Sequence, residues 1–178
     1  MKGDYLRIGV LADTHLSGEL VPDHVIAALG RVDLILHAGD ILDMPIIEQL
    51  NRIADTFAVR GNMDHPDVTG ILPARRFIEV GDFKIGLTHG QGGPSGIVER
   101  VASEFRDVDC IIFGHTHNAL VQELNGVLFF NPGSPTDRRF TERNSIGILE
   151  VTDRIVPLII EIESPLAGAE TEGSVAGD

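Results

Sequence analysis

Positive charge is scarce in this chain: 14 Lys and Arg stand against 27 Asp and Glu in 178 residues, a formal net charge of −13. That balance excludes a broad basic face for gripping nucleic-acid backbone, so no stable nucleic-acid binding is expected. A small anionic ligand stays open, because bound cations would dominate the field of a local site. Cysteine is scarcer still. Cys110 stands alone, which excludes an intrachain disulfide and zinc-finger spacing. Its neighbours Ile111, Ile112 and Phe113 mark it as a small core residue. No apolar run approaches the ~20 residues needed to cross a bilayer. Met1-Lys2-Gly3-Asp4-Tyr5 runs straight into an apolar strand instead of a leader, so a cytoplasmic protein without membrane contact is expected. Neither Gly-x-Gly-x-x-Gly nor a Walker-type phosphate loop occurs.

What is present is ordinary for a globular chain, with 43% hydrophobic and 23% charged residues. One domain over 1–164 is the simplest division, followed by a frayed acidic tail over 165–178. Residues 6–12 read as a strand apolar on both faces, as expected under covering helices. A helical stripe of Val25, Ile26 and Leu29 follows, then a strand at 33–38. A second stripe (Ile46, Ile47, Leu50, Ile53) opens at Pro45, and a strand follows at 56–60. This alternation predicts a parallel sheet with right-handed crossovers. Beyond Asn62 the pattern changes to an irregular connection and a hairpin, 77–80 and 83–88, about Gly81-Asp82. A helix carrying Ile97, Val98, Val101, Ala102 and Phe105 comes next, then a strand at 110–113. The C-terminal strands 120–124 and 127–130 flank Asn125-Gly126, a strong hairpin signal, and 145–151 and 155–162 flank another turn. Joined without helices, these are expected to make a second, antiparallel or mixed sheet. The expected fold class is α/β, a four-layer α/β/β/α sandwich of two mixed sheets flanked by helices.

Five of these apolar runs end alike. They deliver Asp13-Thr14-His15, Gly39-Asp40, Gly61-Asn62-Met63-Asp64, His89-Gly90 and Gly114-His115-Thr116-His117. In open α/β sheets the C-terminal strand edge is where ligands bind. Carboxylate, amide and imidazole donors suit Mn, Fe, Zn, Ni or Co better than soft Cu(I). A lone Asp before a helix is usually a cap, and a lone His is usually a satisfied loop residue. The ordered set is what carries the reading.

That ordered set resembles the calcineurin-like metallophosphoesterase family, over roughly residues 6–160. The Gly61-Asn62-Met63-Asp64 segment and Asn131-Pro132-Gly133-Ser134 are similar to its small YfcE-type phosphodiesterase branch. The resemblance implies two divalent transition-metal ions, manganese foremost, with Ni, Zn, Fe or Co as alternatives. One ion would take Asp13, His15, Asp40 and His117; the other would take Asp40, Asn62, His89 and His115, with Asp40 bridging. Ions about 3.5–4 Å apart would lower the pKa of a shared water, and the bridging hydroxide would attack phosphorus. Asp40, Asn62 and His117 are the implied catalytic residues, with Asn62 and His115 also touching substrate. The implied activity is hydrolysis of small phosphodiesters. A phosphomonoesterase or nucleotide pyrophosphatase on the same site is the enzymatic alternative. A protein-binding scaffold like the retromer subunit of this fold is the non-catalytic one.

Met63 stands where many members of the wider family carry a histidine, and it neither gives nor takes a proton usefully. That bears on esters with poor leaving groups; His65 is the substitute to consider, against a plain surface role. His37 is read either as orienting Asp40 or as a satisfied buried histidine. Ser134 and Arg138 or Arg139 follow Asn131-Pro132-Gly133 and are candidates to reach substrate oxygens, since Arg suits phosphate geometry, but exposed loop charges are commoner and they stay outside the core set. Exposed strand edges and the Phe129-Phe130 hairpin leave room for a dimer or tetramer.

Overall fold

Because side chains alternate across a strand, a strand apolar at every position has to be covered on both sides. The first strand, β1 (Leu6–Leu11), is of this kind: Ile8 and Val10 face one way, Leu11 the other, all fully buried. The computed structural model describes residues 5–163, and the segment 165–178 read as a tail lies outside them. From β1 the chain passes through α1 (Asp23–Leu29), β2 (Leu34–His37), α2 (Met44–Asn51) and β3 (Asp55–Ala58). After α3 (Pro66–Thr69) come β4 (Arg75–Val80), β5 (Phe83–Thr88), α4 (Ile97–Ala102) and β6 (Cys110–Ile112). The described chain ends with β7 (Leu120–Leu124), β8 (Val127–Asn131), β9 (Asn144–Val151) and β10 (Ile155–Ile162).

Two five-stranded mixed sheets result, in the orders β10-β9-β1-β2-β3 and β4-β5-β6-β8-β7. Strands β1, β2 and β3 are parallel, as the strand–helix alternation predicts. Strands β5, β6 and β8 are parallel in the other sheet, with β4 and β7 antiparallel at its edges. The expectation that the C-terminal strands share a second sheet needs correction. β9 pairs antiparallel with β1 (Leu6 opposite Val151), so β9 and β10 complete the first sheet, while β7 and β8 lie in the other. With β2 on one side of β1, the buried N–H and C=O groups of its other edge need a partner, and β9 supplies it.

Between the sheets lies one apolar layer: Ile8, Val10 and Leu36 from the first, Ile85, Leu87, Ile112 and Phe130 from the second. The opposite faces make two further layers. Leu11 and Ile35 pack with Val25, Leu29, Ile46, Ile47 and Leu50 of α1 and α2. Ile111, Phe113 and Phe129 pack with Ile97, Val98 and Val101 of α4. Three apolar layers separate four layers of structure, the α/β/β/α sandwich expected. Turn chemistry also holds: Asn125 (φ 53°) and Gly126 (φ 78°) close a two-residue hairpin, with Leu124 opposite Val127. Helix ends fall short of the sequence stripes. Ile53 lies beyond α2 and is 37% exposed, whereas Phe105 lies beyond α4 yet is buried. A one-turn helix, α3, occupies part of the connection expected to be irregular. Among the described residues no helix is long and apolar enough to cross a membrane.

Candidate metal centre

Parallel strands point their C-terminal ends the same way, so β1, β2 and β3 release their following loops along one edge. Asp13, Asp40 and Asn62 lie in those loops. From the facing sheet, β5 runs into His89, and β6 into His115 and His117. The loops after β1 and β2 travel together: the N–H of Asp13 donates to the Gly39 carbonyl and that of His15 to the Asp40 carbonyl, each at 3.0 Å. The Asp64 carboxylate binds the third loop to the second, accepting from the N–H groups of Ile41 (2.6 Å), Leu42 (2.8 Å) and Gly61 (2.7 Å). Across the sheets, the Asp13 carboxylate accepts the His115 N–H at 2.9 Å.

All seven residues assigned as donors from the sequence come together here. Oδ2 of Asp40 lies 3.2 Å from His89 Nε2 and 3.5 Å from His15 Nε2, between the two halves of the cluster. Oδ1 of Asp13 is 3.5 Å from His117 Nε2 and 4.0 Å from His89 Nε2. His15 and His117 bring their Nε2 atoms to 3.1 Å. Oδ1 of Asn62 stands 3.1 Å from His89 Nε2 and 3.0 Å from His115 Nδ1. Asp13, His15 and His117 form one group of potential ligand atoms within 4.8 Å of one another, and Asp13, Asp40 and His89 form a second.

The outer nitrogens fix which imidazole lone pairs face inward. Nδ1 of His89 donates to the Ala38 carbonyl at 2.7 Å, so its Nε2 points at Asp40. Nε2 of His115 donates to the Gly92 carbonyl at 2.7 Å, leaving Nδ1 towards Asn62. Inward lone pairs facing carboxylate and amide oxygens are the arrangement a shared cation satisfies. Without one, protons must fill the role. Burial pushes the Asp13 carboxyl up to about 7, although His89 nearby opposes it. Burial would also raise Asp40, but the His89 hydrogen bond and charge and the Met63 N–H hold it below the ordinary carboxylate range. His89 goes the other way: burial disfavours its charge, yet Asp40 and Asp13 outweigh that and raise it. Burial, then repulsion from His15, lowers His117 to about 4. The donor set fits divalent metal ions.

The secondary candidates divide. His37 does not reach the Asp40 carboxylate. Its Nδ1 accepts the Gly39 N–H (3.3 Å) and its Nε2 contacts the Thr14 hydroxyl (3.3 Å), so it is a satisfied buried histidine bracing two loops. Ser134 faces inward, donating to the Asp13 carbonyl at 2.7 Å, and does not address substrate. Arg138 donates to Asn144 Oδ1, Arg139 is tied to Asp137, and His65 pairs with Asp43. Two contributors were missed from the sequence. Asn131 donates to the Gly114 carbonyl and the Thr116 hydroxyl, fixing the loop that carries His115 and His117. Asp137 brings Oδ2 to 3.7 Å from Nδ1 of His117, a buried nitrogen with no hydrogen-bond partner. Its only signal was a position three residues after Ser134.

The chain is similar to known proteins along most of its length. The family description "calcineurin-like phosphoesterase superfamily domain" matches residues 6–154. A protein of Methanocaldococcus jannaschii described as a "probable metallophosphoesterase" is 37% identical over 166 residues, covering 90% of this chain and 84% of its own. The solved structure of an archaeal phosphodiesterase superposes with a TM-score of 0.67 at 26% identity, covering 88% of this chain and all of the other. Vps29 of Entamoeba histolytica, solved with zinc, gives a TM-score of 0.67 at 27% identity, covering 88% of this chain and 99% of its own. A family match over residues 6–154, with 37% identity to a relative covered over 84% of its length, places the chain in the calcineurin-like phosphoesterase superfamily.

Proposed function

We propose that this chain is a metal-dependent phosphodiesterase acting on small phosphodiesters, with Asp13, His15, Asp40 and His117 holding one divalent ion and Asp40, Asn62, His89 and His115 a second. The observation that carries this reading is the position of Asp40 Oδ2, 3.2 Å from His89 Nε2 and 3.5 Å from His15 Nε2, between two half-sets of donors. Two such ions, manganese foremost, would activate a water as nucleophile and offset charge on the phosphoryl oxygens. The chain's own groups set the balance. Two carboxylates leave a dication pair net positive, and neutral imidazoles and Asn62 add no further negative charge. An anionic ester is therefore attracted locally despite the acidic whole. Asn62 is exposed and His115 half-buried, so these two donors meet the incoming ester. Met63, 51% exposed beside them, offers no proton to a leaving group.

The test begins with metal content after purification without chelator. Rates on bis(4-nitrophenyl) phosphate and 4-nitrophenyl phosphate then separate diester from monoester hydrolysis. Asp40→Asn is expected to lower the diester rate by at least about 100-fold and to reduce bound metal. An unchanged rate in that variant overturns the role given to Asp40, and wild-type protein that hydrolyses neither ester with metal supplied leaves the protein-binding scaffold instead.

A further inference from the structure

The centre is flanked by two grooves of similar size and opposite character. On the His89 side, a groove of about 390 Å³ is lined by Asn62 and His89 themselves and by Arg60, Arg75, Thr88 and Glu104. On the His15 side, a groove of about 400 Å³ is lined by Leu16, Leu42 and Met63 together with Thr14, Thr136 and the Asp137–Arg139 pair. Asp40 stands between them, within reach of both histidines. A diester has two arms, and the centre has a groove on each side of it.

Chain geometry places the arginines where they are. Arg60 immediately precedes Gly61-Asn62, and its N–H donates to the Pro73 carbonyl, joining the end of β3 to the turn before β4. Arg75 then pairs in register with Thr88, the residue before His89. What matters about the two side chains is that they line the groove beside the centre without a carboxylate partner. Arg139 and Arg143 are tied to carboxylates. Arg60 donates to the carbonyls of Thr69 (3.3 Å) and Leu72 (3.4 Å), and Arg75 to that of Glu104 (3.2 Å). Among the described residues neither is ion-paired, in a chain with almost twice as many acids as bases. The Glu104 carboxylate in the same groove is held by the Thr88 hydroxyl at 2.8 Å and keeps its charge, so the groove carries two guanidinium groups against one carboxylate. A backbone carbonyl takes one donor from a guanidinium that has five, so both retain donors and full charge for an anion.

We infer that the groove formed by Arg60 and Arg75 beside Asn62 and His89 binds a second anionic group, a phosphate or carboxylate, on one arm of the diester, while the uncharged arm lies against Leu16, Leu42 and Met63. The inference rests on the phosphodiesterase reading and narrows it to asymmetric diesters. In the Arg139 groove the guanidinium is already neutralised by Asp137, so the preference has one direction.

The probes are a diadenylate with a 5′-terminal phosphate and the same diadenylate without it, titrated calorimetrically and assayed with manganese. Wild-type protein is expected to bind and cleave the phosphorylated compound at least about tenfold better, an ordinary gain for charge-assisted guanidinium contacts. Arg60→Gln/Arg75→Gln is expected to abolish that preference while leaving affinity for the unphosphorylated compound within about twofold. Because Arg60 also braces two carbonyls, Arg75→Gln alone serves as the second variant and is expected to lose part of the preference. Cleavage of bis(4-nitrophenyl) phosphate with no terminal-phosphate preference overturns the groove and spares the phosphodiesterase. A binding preference that needs the arginines, without hydrolysis of any diester, keeps the anion groove and overturns the phosphodiesterase. A preference that survives in the double variant overturns the assignment to these residues.

Discussion

Adding a single methyl group at Gly61 tests whether the loops are held as tightly as the centre requires. An alanine Cβ there would lie 2.1 Å from Asp40 Oδ1 and 2.4 Å from the Asp40 backbone nitrogen. An ordinary contact begins near 3.4 Å, so either the carboxylate or the loop must retreat by about 1.3 Å. Neither is free to do so cheaply. Asp40 Oδ1 accepts the Met63 N–H at 2.8 Å, and the Gly61 N–H is held by Asp64 at 2.7 Å. Forced overpacking costs about 1–3 kcal/mol, and a lost hydrogen bond to a charged acceptor about 1.5–3 kcal/mol. Metal-free Gly61→Ala should therefore lose about 3 kcal/mol in urea denaturation, and its manganese affinity should fall about 10–100-fold by calorimetry. Gly93→Ala is the matched control. A Cβ at Gly93 meets nothing within 4 Å, so that variant should stay within about 0.5 kcal/mol of wild type. If Gly61→Ala binds manganese as Gly93→Ala does, the proposed position of Asp40 in the centre is wrong.

Burial lowers His37 to about 3, so the folded state binds its proton less readily than the unfolded chain. Its contribution is complete above pH ~6.5 and is lost as pH falls towards 3, on the order of 5 kcal/mol in metal-free protein. Replacing it in His37→Asn should flatten that part of the pH–stability curve, and an unchanged slope refutes the neutral, buried assignment. Asp137→Asn removes the negative charge facing His117 Nδ1 and should weaken manganese binding about tenfold while leaving the metal-free melting temperature near wild type. Equal affinity in that variant would show that Asp137 does not orient His117.

The convergence of the candidate donors was legible because each follows closely on a strand, and strand direction carries Asp13, Asp40, Asn62, His89, His115 and His117 towards one edge. Sheet membership was less so. Which strand fills the free edge of β1 is a non-local choice, and neighbouring hairpins in sequence gave no sign that β8 and β9 part company. Asp137 was hidden for the same reason: its role depends on how the β8–β9 connection crosses the site, which local spacing does not encode. Ser134, left outside the donor set as a loop residue, satisfies the Asp13 carbonyl inside the fold, a role its position after Pro-Gly does not announce. Phe105 shows the opposite error, since a helical stripe identified its burial correctly while overstating the helix.

Five of the seven donors, Asp13, His15, Asp40, His115 and His117, have φ between 46° and 71°. Left-handed backbone costs a non-glycine residue about 1 kcal/mol or more, less for Asp and His, so the loops together store several kcal/mol. To this is added a carboxylate, Asp13, that is fully buried with its ionisation disfavoured. A domain is stable by only about 5–15 kcal/mol, so these costs are a large share of what its core supplies. A surface that only docks a partner gains nothing from them, because a partner reads outward-facing groups, whereas here the lone pairs of His89 and His115 turn inward. Binding a cation at that point offsets both the buried charge and the strain at once. The arrangement therefore favours a bound cation at this point, independently of any likeness to known proteins.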